Sequence, residues 1–203
     1  MFDGRLPWAV YNAANGEVRP AVGDIDGDGL AEVLLSTGNF PPAGGFVAVL
    51  DDARRNFRRM TWIRLPWSAY NAAGGSTRPA VGDFDGDGRG EVVLGIDAFP
   101  ANGGWFEIRE DFSSDLRHQR WVRFANVAYN AANGSTRPAT GDVDGDRRDE
   151  ILIGTGPAPG NQFNMALHDD ASIGFGFRRF FTIQDAAYTA ANGETWPTLG
   201  LMK

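Results

Sequence analysis

Carboxylates stand at alternate positions in a tight, glycine-rich string: Asp24, Asp26 and Asp28, followed by Glu32. The same spacing returns at Asp83, Asp85, Asp87 and Glu91, and again at Asp142, Asp144, Asp146 and Glu150. Alternate acids on a curled backbone aim several oxygens at one centre, and the backbone carbonyl two residues past the third aspartate (Leu30, Arg89, Arg148) is expected to add another. Such a set suits calcium, a hard cation that takes six to eight oxygens in tolerant geometry. Zinc would call for histidine or cysteine, and the chain has no cysteine. The helical calcium loop is excluded, because its twelfth position needs a glutamate and here holds Leu35, Leu94 or Ile153. Asp-Gly pairs also form metal-free hairpin turns, but three in-register clusters of mutually repelling acids favour a cation. Three calcium ions are expected, one for each loop.

The third loop differs. Where the first two have Gly29 and Gly88 it has Arg147, which is strained if that position needs a positive φ.

The elements that hold these loops follow from a repeat. Tyr11, Tyr70, Tyr129 and Tyr188 are spaced 59 residues apart, and Arg19, Arg78 and Arg137 keep the same step. Each period reads as four short strands: RPAVGD, then EVLLST after the acidic loop, then the alternating GFVAVLD, then RMTWIRLPW. The alternation puts Val47, Val49, Phe106, Ile108, Met165 and Leu167 on a core face. Four strands per period, with 27 glycines and 11 prolines marking turns, predict an all-β chain of β-propeller blades. The blades are placed at 18–67, 77–126 and 136–185. Residues 1–17 read as a partial outer strand with its linker, and 186–203 as a linker with a partial inner strand. A ring is then completed by further sequence or by a homo-oligomer, since open blade edges invite pairing.

The composition is that of a globular chain, 42% hydrophobic and 12% aromatic among 203 residues. The formal charge of −7 reflects the acidic loops, since three divalent cations would offset six of those charges. Without a basic stripe, nucleic acid is not expected as a partner. No apolar run is long enough for membrane insertion, and no signal peptide is read at the start.

At these residues a family resemblance enters. VGDIDGDGLAEVLL and its two copies resemble the FG-GAP or VCBS-type repeat of integrin α-subunit-like β-propellers. The resemblance implies one structural calcium per blade, an extracellular or cell-surface setting, and a recognition or adhesion role with a carbohydrate or extracellular protein as partner. The same architecture serves some lectins and some polysaccharide lyases. Leu201 falls where a fourth loop's first aspartate belongs.

Candidates for ligand contact are the repeated pairs Tyr11 and Asn12, Tyr70 and Asn71, and Tyr129 and Asn130. The competing reading makes these segments packed turns between blades. Trp105 and Trp196, which have no tryptophan counterpart in the other repeats, are further candidates, whereas Trp8, Trp62, Trp67 and Trp121 recur and are expected to pack. Arg19, Arg78 and Arg137 are expected to pair with acids between blades. The histidines, His118 and His168, have no nucleophile motif beside them, and no Gly-x-Ser-x-Gly elbow occurs. The expectation is therefore a binding module without catalysis. The alternatives are a polysaccharide-lyase-like enzyme, in which a cation polarises a uronate carboxylate, and a purely structural repeat of a larger surface protein.

Overall fold

In a computed structural model, residue 6 and residues 8–99, 102–160 and 164–199 are described. Leu201 and residues 1–5 and 7 of the N-terminal piece lie outside them. Among the described residues, twelve strands form three separate four-stranded antiparallel sheets, each in simple up-and-down order. The first blade comprises β1 (Val18–Gly23), β2 (Glu32–Thr37), β3 (Phe46–Leu50) and β4 (Arg59–Arg64). The second comprises β5 (Thr77–Gly82), β6 (Glu91–Ile96), β7 (Trp105–Arg109) and β8 (His118–Arg123). The third comprises β9 (Thr136–Gly141), β10 (Glu150–Thr155), β11 (Met165–His168) and β12 (Phe177–Phe181). The register is the same in every blade: Gly23 faces Glu32, Gly82 faces Glu91 and Gly141 faces Glu150, so each acidic loop closes the hairpin between the first two strands.

The sheets stack face to face. The first strands β1, β5 and β9 lie side by side in that order, as inner strands of propeller blades do. One core fills the space between blades one and two, built on Leu34, Val47, Val49, Val92, Leu94 and Ile96. A second, between blades two and three, is built on Val93, Phe106, Ile108, Ile151 and Ile153. Blade two is thus sandwiched between its neighbours, and all six residues of β6, and also of β10, are buried. Reading only one face as core needs correction: Ala48, Glu107 and Ala166, on the other face, are fully buried, while Met165 and Leu167, expected in the core, are only half-buried because no further blade covers that face among the described residues. Close stacking needs small residues. A Cβ on Gly95 would sit 2.3 Å from the carbonyl oxygen of Thr136 in the next blade, so a side chain there would push the sheets apart.

The sequence reading of the segments between blades needs correction. Each contains a short helix, not only a turn: α1 (Ala9–Ala14), α2 (Ser68–Ala72), α3 (Val127–Ala132) and α4 (Ala186–Ala191). None of the described helices is long and apolar enough to cross a membrane. The third and fourth strands of each blade are joined through a 3₁₀ turn (Ala53–Arg55, Phe112–Ser114, Ala171–Ile173), started by the carboxylates of Asp52, Asp111 and Asp170.

Candidate functional site

The acidic loops share one construction. The Asp24 carboxylate accepts from the backbone N–H of Gly27 (2.7 Å) and of Gly29 (2.8 Å), Asp26 from Asp28 (3.1 Å), and Asp28 from Leu30 (2.9 Å). Asp83, Asp85 and Asp87 repeat these bonds through Gly88 and Arg89. Asp142, Asp144 and Asp146 do so through Arg147 and Arg148. The backbone must enter the left-handed region to close the curl, at φ +84° for Gly29, +87° for Gly88 and +75° for Arg147. The third loop therefore carries a side chain where the backbone favours glycine.

The last acid of each loop is buried. Glu32 accepts from the Ile25 N–H at 2.9 Å, Glu91 from Phe84 at 2.7 Å and Glu150 from Val143 at 2.7 Å. Each bond uses Oε2. The buried Oε1 atoms of Glu32 and Glu150 have no protein partner. Oxygens of Asp24, Asp26 and Glu32 lie within 4.8 Å of one another, as do those of Asp83, Asp85 and Glu91, and of Asp142, Asp144 and Asp146. Without a cation this arrangement disfavours charge. Burial, with the neighbouring aspartates adding to it, raises Glu32 to about 7, Glu91 to about 8 and Glu150 to about 7. Buried oxygens without a donor and carboxylates pushed toward neutrality are what a hard cation would relieve, so the donor set fits calcium.

Two participants escaped the sequence reading. Asp52 brings an oxygen within the same 4.8 Å of Asp28 and Glu32, and Asp111 does so for Asp87 and Glu91. Both come from the 3₁₀ turn across the blade. Their 59-residue spacing, continued at Asp170, was the signal available. The loops are also tied blade to blade: Gly90 N–H donates to the Asp24 carbonyl and Asp149 N–H to the Asp83 carbonyl, both at 2.7 Å.

The tyrosine and asparagine candidates are placed differently from the expectation of a ligand surface. Tyr11, Tyr70 and Tyr129 are buried, and their hydroxyls donate to the carbonyls of Glu17, Ser76 and Ser135. The same hydroxyls accept from Gly38, Asp97 and Gly156 N–H groups. The side-chain amides of Asn12, Asn71 and Asn130 donate to Leu6, Leu65 and Phe124 carbonyls. These six residues fasten the first three linker helices to the blades beside them.

A second constellation lies at the opposite end of the inner strands from the acidic loops. Arg19, Arg78 and Arg137, each followed by proline, converge with Glu17 and Trp196 around a cleft of about 430 Å³. Trp196 occupies the fourth register position, where the first three repeats have arginine. Its ring is 64% exposed, and the guanidinium carbons of Arg137 and Arg78 lie 3.9 and 4.9 Å from its centroid. Asp97 pairs with Arg78 at 2.5 Å and with Arg19 at 3.3 Å, and Glu194 pairs with Arg137 at 2.5 Å. Burial alone would raise the Asp97 carboxyl, but the two arginines outweigh it and hold it below its usual range. Arg19 and Asp97 bridge blades one and two, as expected of an inter-blade pair. Arg78 is 8% exposed, and its Nε and Nη1 have no hydrogen-bond partner. Three guanidiniums around one cleft beside an exposed indole are suited to an anionic, ring-bearing ligand.

Neither a family model nor a curated protein matches this chain. Among solved structures it resembles the Bacillus licheniformis rhamnogalacturonan lyase PL11, with a TM-score of 0.54 and 17% identity, over 92% of this chain and 38% of that one. It also aligns with the exotype rhamnogalacturonan lyase YesX, with a TM-score of 0.44 and 14% identity, over 74% of this chain and 34% of that one. The chain thus spans less than two fifths of the length of either lyase. At this identity the likeness defines the fold, an all-β arrangement of propeller-type blades. It also corrects one expectation. The expectation of a module without catalysis is withdrawn, because the same fold occurs in a protein named as a rhamnogalacturonan lyase.

Proposed function

We propose that the chain is the blade portion of a polysaccharide-lyase-like protein, stabilised by calcium and holding a uronate-containing polymer at the arginine cleft. The observation that carries the reading is the convergence of Arg19, Arg78 and Arg137 on one cleft with the exposed Trp196 beside them. A uronate carboxylate would be drawn to the guanidiniums lining the cleft in a charge-assisted pair, and the apolar face of the sugar would lie on Trp196. The rhamnogalacturonan named in the neighbouring lyases contains such uronates.

Elimination from a uronate passes the proton at C5 to a base, forms the C4=C5 double bond and breaks the C4–O4 bond, with O4 leaving on the neighbouring sugar and taking up a proton there to become a hydroxyl. Charge builds next to the carboxylate as the C5 proton departs. A guanidinium fixed on that carboxylate is stabilising at that moment. The reading gives Arg78 and Trp196 the holding and neutralising of the substrate, not the proton transfer. Asp24, Asp26, Asp28 and Glu32, with their counterparts in the other loops, would hold calcium, whose role is to draw the acids together and rigidify each hairpin. The likeness of these loops to FG-GAP or VCBS-type repeats supports the calcium assignment.

The test is incubation of the protein in calcium with rhamnogalacturonan and with polygalacturonate, following the ultraviolet absorbance of the unsaturated product. Calorimetric titration with the same polymers runs beside it. Turnover that falls in Trp196→Ala and Arg78→Lys supports the whole reading. Binding without turnover restricts it to substrate holding. Neither, from a folded sample, overturns it.

A further inference from the structure

Blade two carries a pocket that the arginine cleft does not involve. Trp67, Trp105 and Trp121 surround a cavity of about 290 Å³, with Pro66 and Asn102 on its rim. Trp121 meets Trp67 at 5.8 Å and 81° between planes, and Trp105 at 6.5 Å and 80°. Trp105 and Trp121 share one face of the β7–β8 hairpin, since Trp121 stands opposite Glu107, two residues from Trp105. All three indoles are only half-buried.

The same register positions in blade one show what packing alone requires. There Trp8, Phe46 and Trp62 meet in all three pairings, at 5.2, 6.0 and 6.0 Å, and Ala43 stands where blade two has Asn102. Blade two replaces Phe46 by the larger Trp105 and Ala43 by Asn102. Both exchanges add surface able to contact a ligand, an indole face and an exposed amide. The Asn102 side-chain oxygen lies 3.5 Å from Trp105 Nε1.

We propose that this pocket binds one uncharged pyranose unit of a glycan. Its volume is at the small end of ligand sites, ~300 Å³ upward, which suits one sugar ring. Indole faces receive the C–H face of a pyranose, while the Asn102 amide can both donate to and accept from a hydroxyl. None of the five lining residues is charged. The nearby Arg123 lies over Trp105, its guanidinium carbon 5.1 Å from the ring centroid, and its Nε donates to the Gly103 carbonyl. A neutral ring is therefore matched better than a uronate, the reverse of the preference at the arginine cleft. The pocket would act as a second hold on a mixed polymer, and it stands whether or not the chain turns over substrate.

The experiment is an NMR titration of indole N–H signals in the calcium-loaded chain. The probes are methyl α-L-rhamnopyranoside, methyl β-D-galactopyranoside, methyl β-D-glucopyranoside and galacturonate. At least one neutral glycoside should shift the Trp67, Trp105 and Trp121 signals at millimolar concentration, more than galacturonate does. The blade-one residues supply variants already tolerated by this architecture: Trp105→Phe with Asn102→Ala should weaken that binding roughly three- to tenfold or more, while Ile173→Ala, at an exposed position on blade three, leaves it unchanged. No shift with any neutral glycoside, a larger shift with galacturonate, or unchanged affinity in the double variant would each overturn the proposal.

Discussion

Arg148 donates from Nε to the carbonyl oxygen of Asp85, 3.1 Å away, and so joins the third acidic loop to the second. Arg89 makes the corresponding approach to the first loop, packed over Gly27. Together with the backbone bonds from Gly90 and Asp149, these contacts make the three loops one continuous rim. Anything that reshapes one loop is therefore felt by its neighbour.

That continuity sets the first prediction. A site holding calcium at a thousandfold over its dissociation constant stabilises the fold by about 4 kcal/mol, and each kcal/mol moves the midpoint of a chain this size by roughly 2–4 °C. Excess EDTA should lower the melting temperature by roughly 10 °C or more, with calcium restoring it. Differential scanning calorimetry measures this. An unchanged midpoint means that the acids serve only as turn formers.

Arg147 gives a prediction of opposite sign. At φ +75° it occupies backbone space that an L side chain enters at a cost of about 1–2 kcal/mol. Arg147→Gly should raise the melting temperature by roughly 2–6 °C and tighten calcium in the third loop. Glycine's greater freedom in the unfolded chain works against this gain. A destabilised Arg147→Gly would show that the arginine side chain contributes more than its backbone costs.

The need for glycine at that position could be read from Gly29 and Gly88 alone, because two repeats comment on the third. The strands were legible for the same reason: alternation such as Val47, Val49 against Phe106, Ile108 recurs every 59 residues. The linker helices were not. At five or six residues they are shorter than two turns, too brief for a 3.6-residue apolar period to emerge. Asp52 and Asp111 were hidden because they reach the acidic loops from across the blade, through a 3₁₀ turn that follows β3 and β7. The arginine cleft was hidden more deeply. Its parts lie in four different repeats, and only stacking of the inner strands brings Trp196 over Arg137.

The loop glutamates predict how stability depends on pH. Glu32, Glu91 and Glu150 have their carboxyls raised to about 7, 8 and 7 in the metal-free fold, against about 4.3 in an unfolded chain. Between those values the folded state binds more protons than the unfolded state, so stability falls as pH rises. In EDTA the melting temperature should therefore drop from pH 5 to pH 8. Calcium must displace these protons, so its stabilising effect should grow over the same interval. Thermal melts at pH 5, 6, 7 and 8, with calcium and with EDTA, check both slopes. A flat profile in EDTA would show that the glutamates ionise freely.

The roles of Tyr70 and Trp196 separate fold from binding. The Tyr70 hydroxyl is buried, donating to the Ser76 carbonyl at 2.5 Å and accepting from Asp97 N–H at 2.8 Å. Tyr70→Phe leaves both partners without it, a loss of about 1–3 kcal/mol, so the melting temperature should fall by several degrees while polymer binding persists. Trp196 is mostly exposed and stacks on Arg137 and Arg78. Trp196→Ala should leave the melting temperature within about 1–2 °C, since surface changes cost little, yet weaken uronate binding by roughly tenfold, the equivalent of 1.4 kcal/mol. Melting curves and calorimetric titration on the two variants make the comparison. If Tyr70→Phe abolished binding at an unchanged melting temperature, the linker tyrosines rather than the arginine cleft would face the polymer.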